Sequence, residues 1–324
     1  MTMLIGVDVG GTNLRLGVVE IAIGKPHLID EMRFQADFSA LCKSNQDSPE
    51  QAWQAILTTV AKAVQTVRDK HPNISGVGIG FPGFIDPVTQ KILQSPNLPG
   101  LSNVDLSADL SQLLAMTVVT ENDALAAAYG EFVMYEVNGS GSQQSPNLIY
   151  LGLGTGVGGG LILNGQPFQG QHGVAMEVGH IIVRPQALHS NARACGCGNF
   201  GCMEQYASAS GVAISYFEFT GRKCTAHEIA IYASAGDQSA MNAYALAGSS
   251  LAQALAQILK VIDVTDVVIG GGMSAGWLHM EQAFTQQLDN DLIPVLRGKV
   301  QVKTSNMGDQ AGIIGAAMLA HQKR

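Results

Sequence analysis

Three cysteines and a histidine in this sequence have the types and spacing to hold a metal ion. Cys195, Cys197 and Cys202 crowd into one short segment, with His180 a little upstream. One imidazole and three thiolates make a Cys₃His set, which closes a tetrahedral zinc site and leaves no open position for catalysis. Such a zinc is structural. Gly196, Gly198 and Gly201 lie among the ligands and supply sharp turns that aim three sulfurs at one point. Cysteines packed merely as small hydrophobes would sit poorly in a segment this rich in Gly and Asn. The other two of the 5 cysteines, Cys42 and Cys224, stand apart and read as ordinary thiols.

A second group consists of short amides and acids at the ends of elements: Asn97, Asn122, Asp123, Glu177, His180 and Glu204. Asp123 taken alone reads as a helix cap. Taken together, these groups are what carbohydrate recognition requires, many acceptors aimed at hydroxyls. A third group is the glycine turns, Gly10-Gly11-Thr12-Asn13 and Gly154-Thr155-Gly156, with Gly271-Gly272 further on. Without Cβ atoms, backbone N–H groups can approach phosphate oxygens closely. One such turn by itself is equally a tight hairpin. Gly154-x-Gly156-x-x-Gly159 matches the dinucleotide fingerprint in letters, but a strand follows it where that motif needs a helix. The G-x-x-x-x-G-K-[S/T] loop is absent from the sequence.

The elements that must position these groups follow from apolar patterning. Leu4–Val9 and Leu14–Glu20 predict a hairpin around the first glycine turn. Ser48-Pro49-Glu50-Gln51 predicts a helix start with a capping box, and Trp53, Ile56, Leu57, Val60, Val64 and Val67 share one face of that helix. Val77–Ile79 predicts a buried strand that runs into Gly80-Phe81-Pro82-Gly83. Thr117–Thr120 predicts another, with a helix from Asn122. Asn138–Asn147 is polar and reads as a mobile loop. The opening pattern then returns, with strand Leu148–Leu153, a glycine turn through Gly159 and strand Gly160–Leu163. Val267–Ile269 runs into Gly270-Gly271-Gly272, and the helix after it carries Trp277, Met280 and Phe284. Two strand–turn–strand units predict a duplicated α/β architecture with a cleft between halves.

The chain has 324 residues, 46% hydrophobic and 14% charged, enough apolar surface for two ordinary cores. Its net charge of −8 argues against a nucleic-acid partner, which needs a basic face. Met1–Asp8 reads as a buried strand and not as a signal peptide, and no apolar run reaches the ~20 residues that span a bilayer. Clustered cysteines without a secretory signal predict a reducing, cytoplasmic setting and no membrane association.

Several of these segments together resemble the ROK family of sugar kinases and regulators over nearly the whole chain. The matching residues are Asp8-x-Gly10-Gly11-Thr12-x-x-Arg15, Glu121-Asn122-Asp123-Ala124, Gly154-Thr155-Gly156-x-Gly158-Gly159, Glu177-x-Gly179-His180 and Cys195-Gly196-Cys197-Gly198-x-x-Gly201-Cys202-x-Glu204. The resemblance implies the α/β two-domain actin-like ATPase (ribonuclease H-like) fold with an interdomain cleft. It divides the chain into 1–122 plus 305–324, and 123–304 with the zinc segment 180–202. It implies that Gly10, Gly11, Thr12, Asn13, Gly154, Thr155 and Gly156 hold ATP phosphates and that Gly271 and Gly272 lie by the adenosine. Asp8 positions Mg²⁺ through water. Gly83, Asn97, Asn122, Asp123, Glu177, His180 and Glu204 line the sugar site, and Asp123 is the catalytic base. His180 turns one ring nitrogen to zinc and the other to the sugar.

What is implied is an ATP-dependent hexose kinase, with glucose as first substrate and N-acetylglucosamine or N-acetylmannosamine as alternatives. Leu125 departs from many glucokinases, which have Asn after Glu-Asn-Asp-Ala. Two readings of another class compete. A sugar-responsive repressor would carry a helix-turn-helix ahead of the first glycine turn, which comes here at Gly10. A sugar-binding regulatory protein without kinase activity would not need Asp123. The resemblance further implies a homodimer.

Overall fold

A computed structural model describes residues 2–10, 13–45, 47–138, 145–188 and 190–323. Gly11, Thr12 and most of the polar loop predicted over 138–147 lie outside the described residues. The chain divides into two compact units, Met1–Pro146 with Gly160–Ala175 and Asp309–Arg324, and Asn147–Gly159 with Met176–Gly308.

The first unit opens with strands β1 (Thr2–Val9), β2 (Asn13–Ala22) and β3 (Lys25–Gln35) and continues through helices α1 (Phe38–Ser44) and α2 (Pro49–Lys70). Strands β4 (Ile74–Phe81), β5 (Phe84–Ile85) and β6 (Ile92–Gln94) follow, then α3 (Leu106–Leu114), β7 (Val118–Asn122) and α4 (Asp123–Asn138). Its sheet has the order β3-β2-β1-β4-β7. The hairpin pairs β1–β2 and β2–β3 are antiparallel, and β1–β4 and β4–β7 are parallel. The predicted face of α2 is buried in the core. The capping box expected at its start does not form, because the Ser48 side chain makes no cap bond. Pro49, whose ring fixes φ, begins the helix without it.

The second sheet is built on β8 (Leu148–Leu153), β9 (Val157–Leu163) and β10 (Gln166–Pro167), then β11 (Asp266–Gly270) and β12 (Gln301–Thr304). Its order, β10-β9-β8-β11-β12, repeats the first sheet's plan, again with β8, β11 and β12 parallel. Helices α5 (Glu204–Ala207), α6 (Ala209–Thr220), α7 (Ala226–Ser234), α8 (Gln238–Ile262) and α9 (Trp277–Asp291) belong to the second unit. Among the described residues α8 is long and apolar enough to cross a membrane by length and composition, but 56% of that window is buried in the protein. It is a core helix.

The closing helix α10 (Gln310–Gln322) returns to the first unit, buried from Ala311 to Ala320. It lies so close to the sheet that a Cβ on Gly6 would run into Ile313 O and one on Gly78 into Ala316 O. Against α4 the approach is equally tight, at Gly130 and Gly315. The sequence division placed residue 123 onward in the second domain. By contacts α4 stays in the first unit, because its small residues pack on α10. The result is an α/β two-unit fold with mixed sheets flanked by helices.

Candidate functional site

In the first unit, three parallel strands end side by side. Asp8 on β1 pairs with Gly80 on β4, and Gly80 with Glu121 on β7. The carboxyl ends of parallel strands are where ligands gather in α/β sheets. Asn122 closes β7 and caps α4, its Oδ1 accepting the Leu125 N–H at 3.0 Å. Its Nδ2 donates to Gly83 O at 3.1 Å, which ties the turn after β4 to the helix start. Because Asn122 does the capping, Asp123 is not needed for it. Asp123 accepts from Ala124 N–H at 2.9 Å and stays half-buried at the end of β7. Gly83 lies against Gln94 O, and the Ser95 hydroxyl donates to Pro82 O, so the exposed loop carrying Asn97 is pinned to the same turn. The first unit therefore gathers Asp8, Asp123, Asn122 and Gly83, with Asn97 on an adjoining loop.

Burial pushes the Asp123 carboxyl above its usual range, while the Ala124 N–H pulls it back. A helix N-terminus alone would favour the anion; here burial outweighs it. Asp8 is pushed up to about 7, by burial first and then by the charge of Asp123, with Arg15 working against both. Two carboxyls that repel each other are what a divalent cation relieves, and this pair fits a hydrated Mg²⁺. Arg15 lies 3.8 Å from Asp8 and pairs with Asp309, just ahead of α10, which also meets Arg33 at 3.6 Å. Asp309 and Arg33 carry no motif signal in the sequence: Asp309 stands far along the chain, and Arg33 meets Arg15 only through the β2–β3 register.

In the second unit, Gly154 N–H donates to Gly156 O at 2.9 Å, and β9 begins at once at Val157, so the turn is shorter than predicted. The start of α6 holds it: Ala209 N–H donates to Gly154 O and the Ser210 hydroxyl to Thr155 O. Glu204 accepts the Val157 N–H at 2.9 Å, and a Cβ on Gly156 would strike its carboxylate. Glu204 therefore sits on the glycine turn itself. Gly271, at φ 81°, closes against Leu153 at the end of β8, so the two candidate nucleotide turns lie together, and Gly272 has open space beside it. That open backbone suits a phosphate or ribose. In the first unit, Gly10 N–H bonds Asn13 O at 2.9 Å across the other turn.

Glu177 follows Met176, which sits at φ 65°, a left-handed conformation that a Met side chain enters only at a cost of ~1–3 kcal/mol. His180 Nδ1 lies 3.6 Å from Cys195 Sγ and its Nε2 3.8 Å from Glu177 Oε2. Cys197 Sγ and Cys202 Sγ are also 3.6 Å apart, and the four ligand atoms all fall within 4.8 Å of one another. Bond lengths of ~2.3 Å to sulfur and ~2.0 Å to nitrogen give tetrahedral edges of about 3.5–3.8 Å. The donor set therefore fits zinc, and the sulfurs are too far apart for a disulfide. Of the three glycines expected to shape the loop, Gly198 (φ 91°) and Gly201 (φ 77°) take left-handed conformations; Gly196 does not.

A profile of the ROK family matches residues 4–323. The chain belongs to the ROK family. It is 33% identical to an N-acetyl-D-glucosamine kinase of Salmonella paratyphi B, over 98% of this chain and 99% of that one. It is 32% identical, with the same coverage, to the N-acetyl-D-glucosamine kinase of Mannheimia succiniciproducens. A ROK family glucokinase from Streptomyces griseus, solved with glucose and AMPPNP, superposes with a TM-score of 0.78 at 28% identity, covering 99% of both chains. This protein is a ROK-family sugar kinase that uses ATP, related by homology to N-acetylhexosamine kinases.

Proposed function

We propose that this chain transfers the γ-phosphoryl group of ATP to a hydroxyl of an N-acetylhexosamine, N-acetylglucosamine first. Glucose, which the sequence motifs put first, becomes the second substrate to test. The preference is supported by end-to-end similarity to N-acetyl-D-glucosamine kinases.

The observation that carries the chemistry is Asp123, a half-buried carboxyl at the end of β7 that the capping Asn122 leaves available. As base, Asp123 takes the proton of the acceptor hydroxyl as the new oxygen–phosphorus bond forms and the bond to ADP breaks. Burial raises its proton affinity, which suits a base. Asp8 would hold Mg²⁺ through water. When bound, that ion neutralises charge on the phosphates. Gly10–Asn13, Gly154–Gly156 and Gly271–Gly272 would take the nucleotide. Gly83, Asn97, Asn122, Glu177, His180 and Glu204 would take the sugar hydroxyls. His180, Cys195, Cys197 and Cys202 would hold zinc, which fixes the His180 ring. A homodimer in the cytoplasm completes the proposal.

The test is a coupled assay with Mg²⁺ and ATP on N-acetylglucosamine, N-acetylmannosamine, glucose, mannose, fructose and allose. The highest kcat/KM on an N-acetylhexosamine is the expected result. A tenfold preference for glucose would restore the first sequence expectation, and no turnover on any sugar would remove the kinase reading.

A further inference from the structure

Glu121 is the most buried carboxylate at the strand ends, with 4% of its surface exposed, and it takes no direct part in the chemistry above. Both of its oxygens are engaged. Oε1 accepts the Asn122 N–H at 2.9 Å, and Oε2 accepts the Gln169 Nε2 at 2.6 Å from 48 residues away. Among the described residues no cation forms an ion pair with it. A buried carboxylate satisfied only by neutral donors is costly to fold. An apolar side chain would hold a sheet end more stably.

Gln169 has its own setting. It opens a loop whose ends meet, with Ala175 N–H donating to Gln169 O at 3.3 Å. Gly173, at φ 69°, seats the loop on β5, where a Cβ would run into Ile85 O. The loop is thus anchored twice in the first unit, at Ile85 and at Glu121. The chain then passes directly to Met176 and Glu177. One carboxylate fixes the Glu121–Asn122 peptide, directly ahead of Asp123, with one oxygen and the 169–175 loop with the other.

We propose that Glu121 and Gln169 form a positioning pair, which fixes Asp123 and the 169–175 loop in one register so that the acceptor hydroxyl meets the base. This rests on the kinase reading above. Neither residue touches the reacting atoms; both act through Asn122, Asp123 and the loop.

The charge pattern of the pair makes it testable by exchange. Gln169→Glu sets two carboxyls against each other. Glu121→Gln keeps the acceptor for Asn122 N–H and turns its NH₂ toward residue 169. The double exchange restores one acid and one amide in contact. Steady-state kinetics at 25 °C with saturating ATP, varied sugar and a melting curve for each variant give the readout. Gln169→Glu is expected to lose about 10- to 100-fold in kcat/KM for the sugar, as for a lost charge-assisted hydrogen bond. KM for ATP stays unchanged. Glu121→Gln/Gln169→Glu recovers to within about threefold of wild type.

Gln169→Glu within about twofold of wild type overturns the pairing, as does a double variant no better than the single. Equal losses in all variants that track a fall in melting temperature, with both KM values unchanged, make the contact structural and overturn the proposal too. A wild-type protein inactive on every sugar removes the kinase reading, and this one with it.

Discussion

The strand ends of the first unit and the 176–203 segment of the second hold their functional groups by opposite means. Asp8, Glu121 and Asp123 stand on or just beyond regular parallel strands, in a register fixed by the ladder Asp8–Gly80–Glu121. The segment that carries the His/Cys cluster has almost no regular structure. It is held by backbone bonds such as Val183 and Arg184 N–H to Gly201 O and Met203 N–H to Ile181 O, and a zinc bound to the cluster would add four more ties. In the first region the fold precedes the site, and a side chain there can be changed without loss of the fold. In the second the site is part of the fold, so removing a ligand costs order before it costs chemistry.

The largest effect expected from this contrast is at Asp123. Asp123→Asn keeps the shape and loses the base, so kcat falls about 10²–10⁴-fold. The melting temperature stays within a few degrees. A variant that turns over at near wild-type rate would take Asp123 out of the mechanism. One that unfolds would break the contrast itself.

Next is the metal. Chelation, or Cys202→Ser, should remove one zinc per chain by elemental analysis and weaken sugar binding at least tenfold, since His180 is then free to turn. Hydrogen exchange should quicken at the Val183, Arg184 and Met203 amides and not along β1, β4 and β7. Exchange that rises equally in both regions would contradict the local character of the site, and a wild-type protein without zinc would end the metal assignment.

Arg193 sharpens the same comparison, because it is the segment's second anchor. Its side chain, 8% exposed, pairs with Glu218 at 2.6 Å and donates to Gln205 O, Gly211 O and the Ser215 hydroxyl. It also lies over the Tyr206 ring, 4.5 Å from its centre. Arg193→Ala should cost about 1–3 kcal/mol in urea unfolding, because its charge-assisted bonds to Gln205 O, Gly211 O and the Ser215 hydroxyl are lost while the half-exposed Glu218 is left in water. A loss under about 0.5 kcal/mol would mean that the metal holds the segment alone.

The two regions also differ in how far they can be read from sequence. The metal ligands are close along the chain and of rare types, so Cys195, Cys197 and Cys202 announce themselves, and His180 follows from them. β1, β4 and β7 are legible because they are buried on both faces and read as apolar runs. β3 is not. It is an edge strand, and its Lys25–Gln35 sequence mixes Asp30, Glu31 and Arg33 with apolar residues because one side meets water. The link from Glu121 to Gln169 is invisible for another reason: it joins residues far apart whose types are ordinary. The role of Asn122 as cap could have been found from its place before an Ala-rich helix, but Asp123 beside it offers the same signal, and only the geometry separates them.

The smallest effect is electrostatic and tests the strand-end region from the side of stability. Asp8 is held at about 7 in the folded protein, against an ordinary carboxyl value near 3.8, by burial and by Asp123. Between those values the folded chain keeps a proton that the unfolded chain has already lost. Stability from this group is therefore complete below about pH 4 and drains away as the pH rises toward 7, at up to about 1.4 kcal/mol per pH unit. Asp123 and Glu121, both raised by burial, drain in the same direction. Asp8→Asn removes one contributor. In urea unfolding without Mg²⁺ or nucleotide, its stability relative to wild type should grow between pH 5 and pH 7.5. A difference that is flat across that range would mean that Arg15, and not burial, governs Asp8. The first region would then hold its acids as ion pairs, much as the second holds Arg193, and the contrast between them would reduce to the metal.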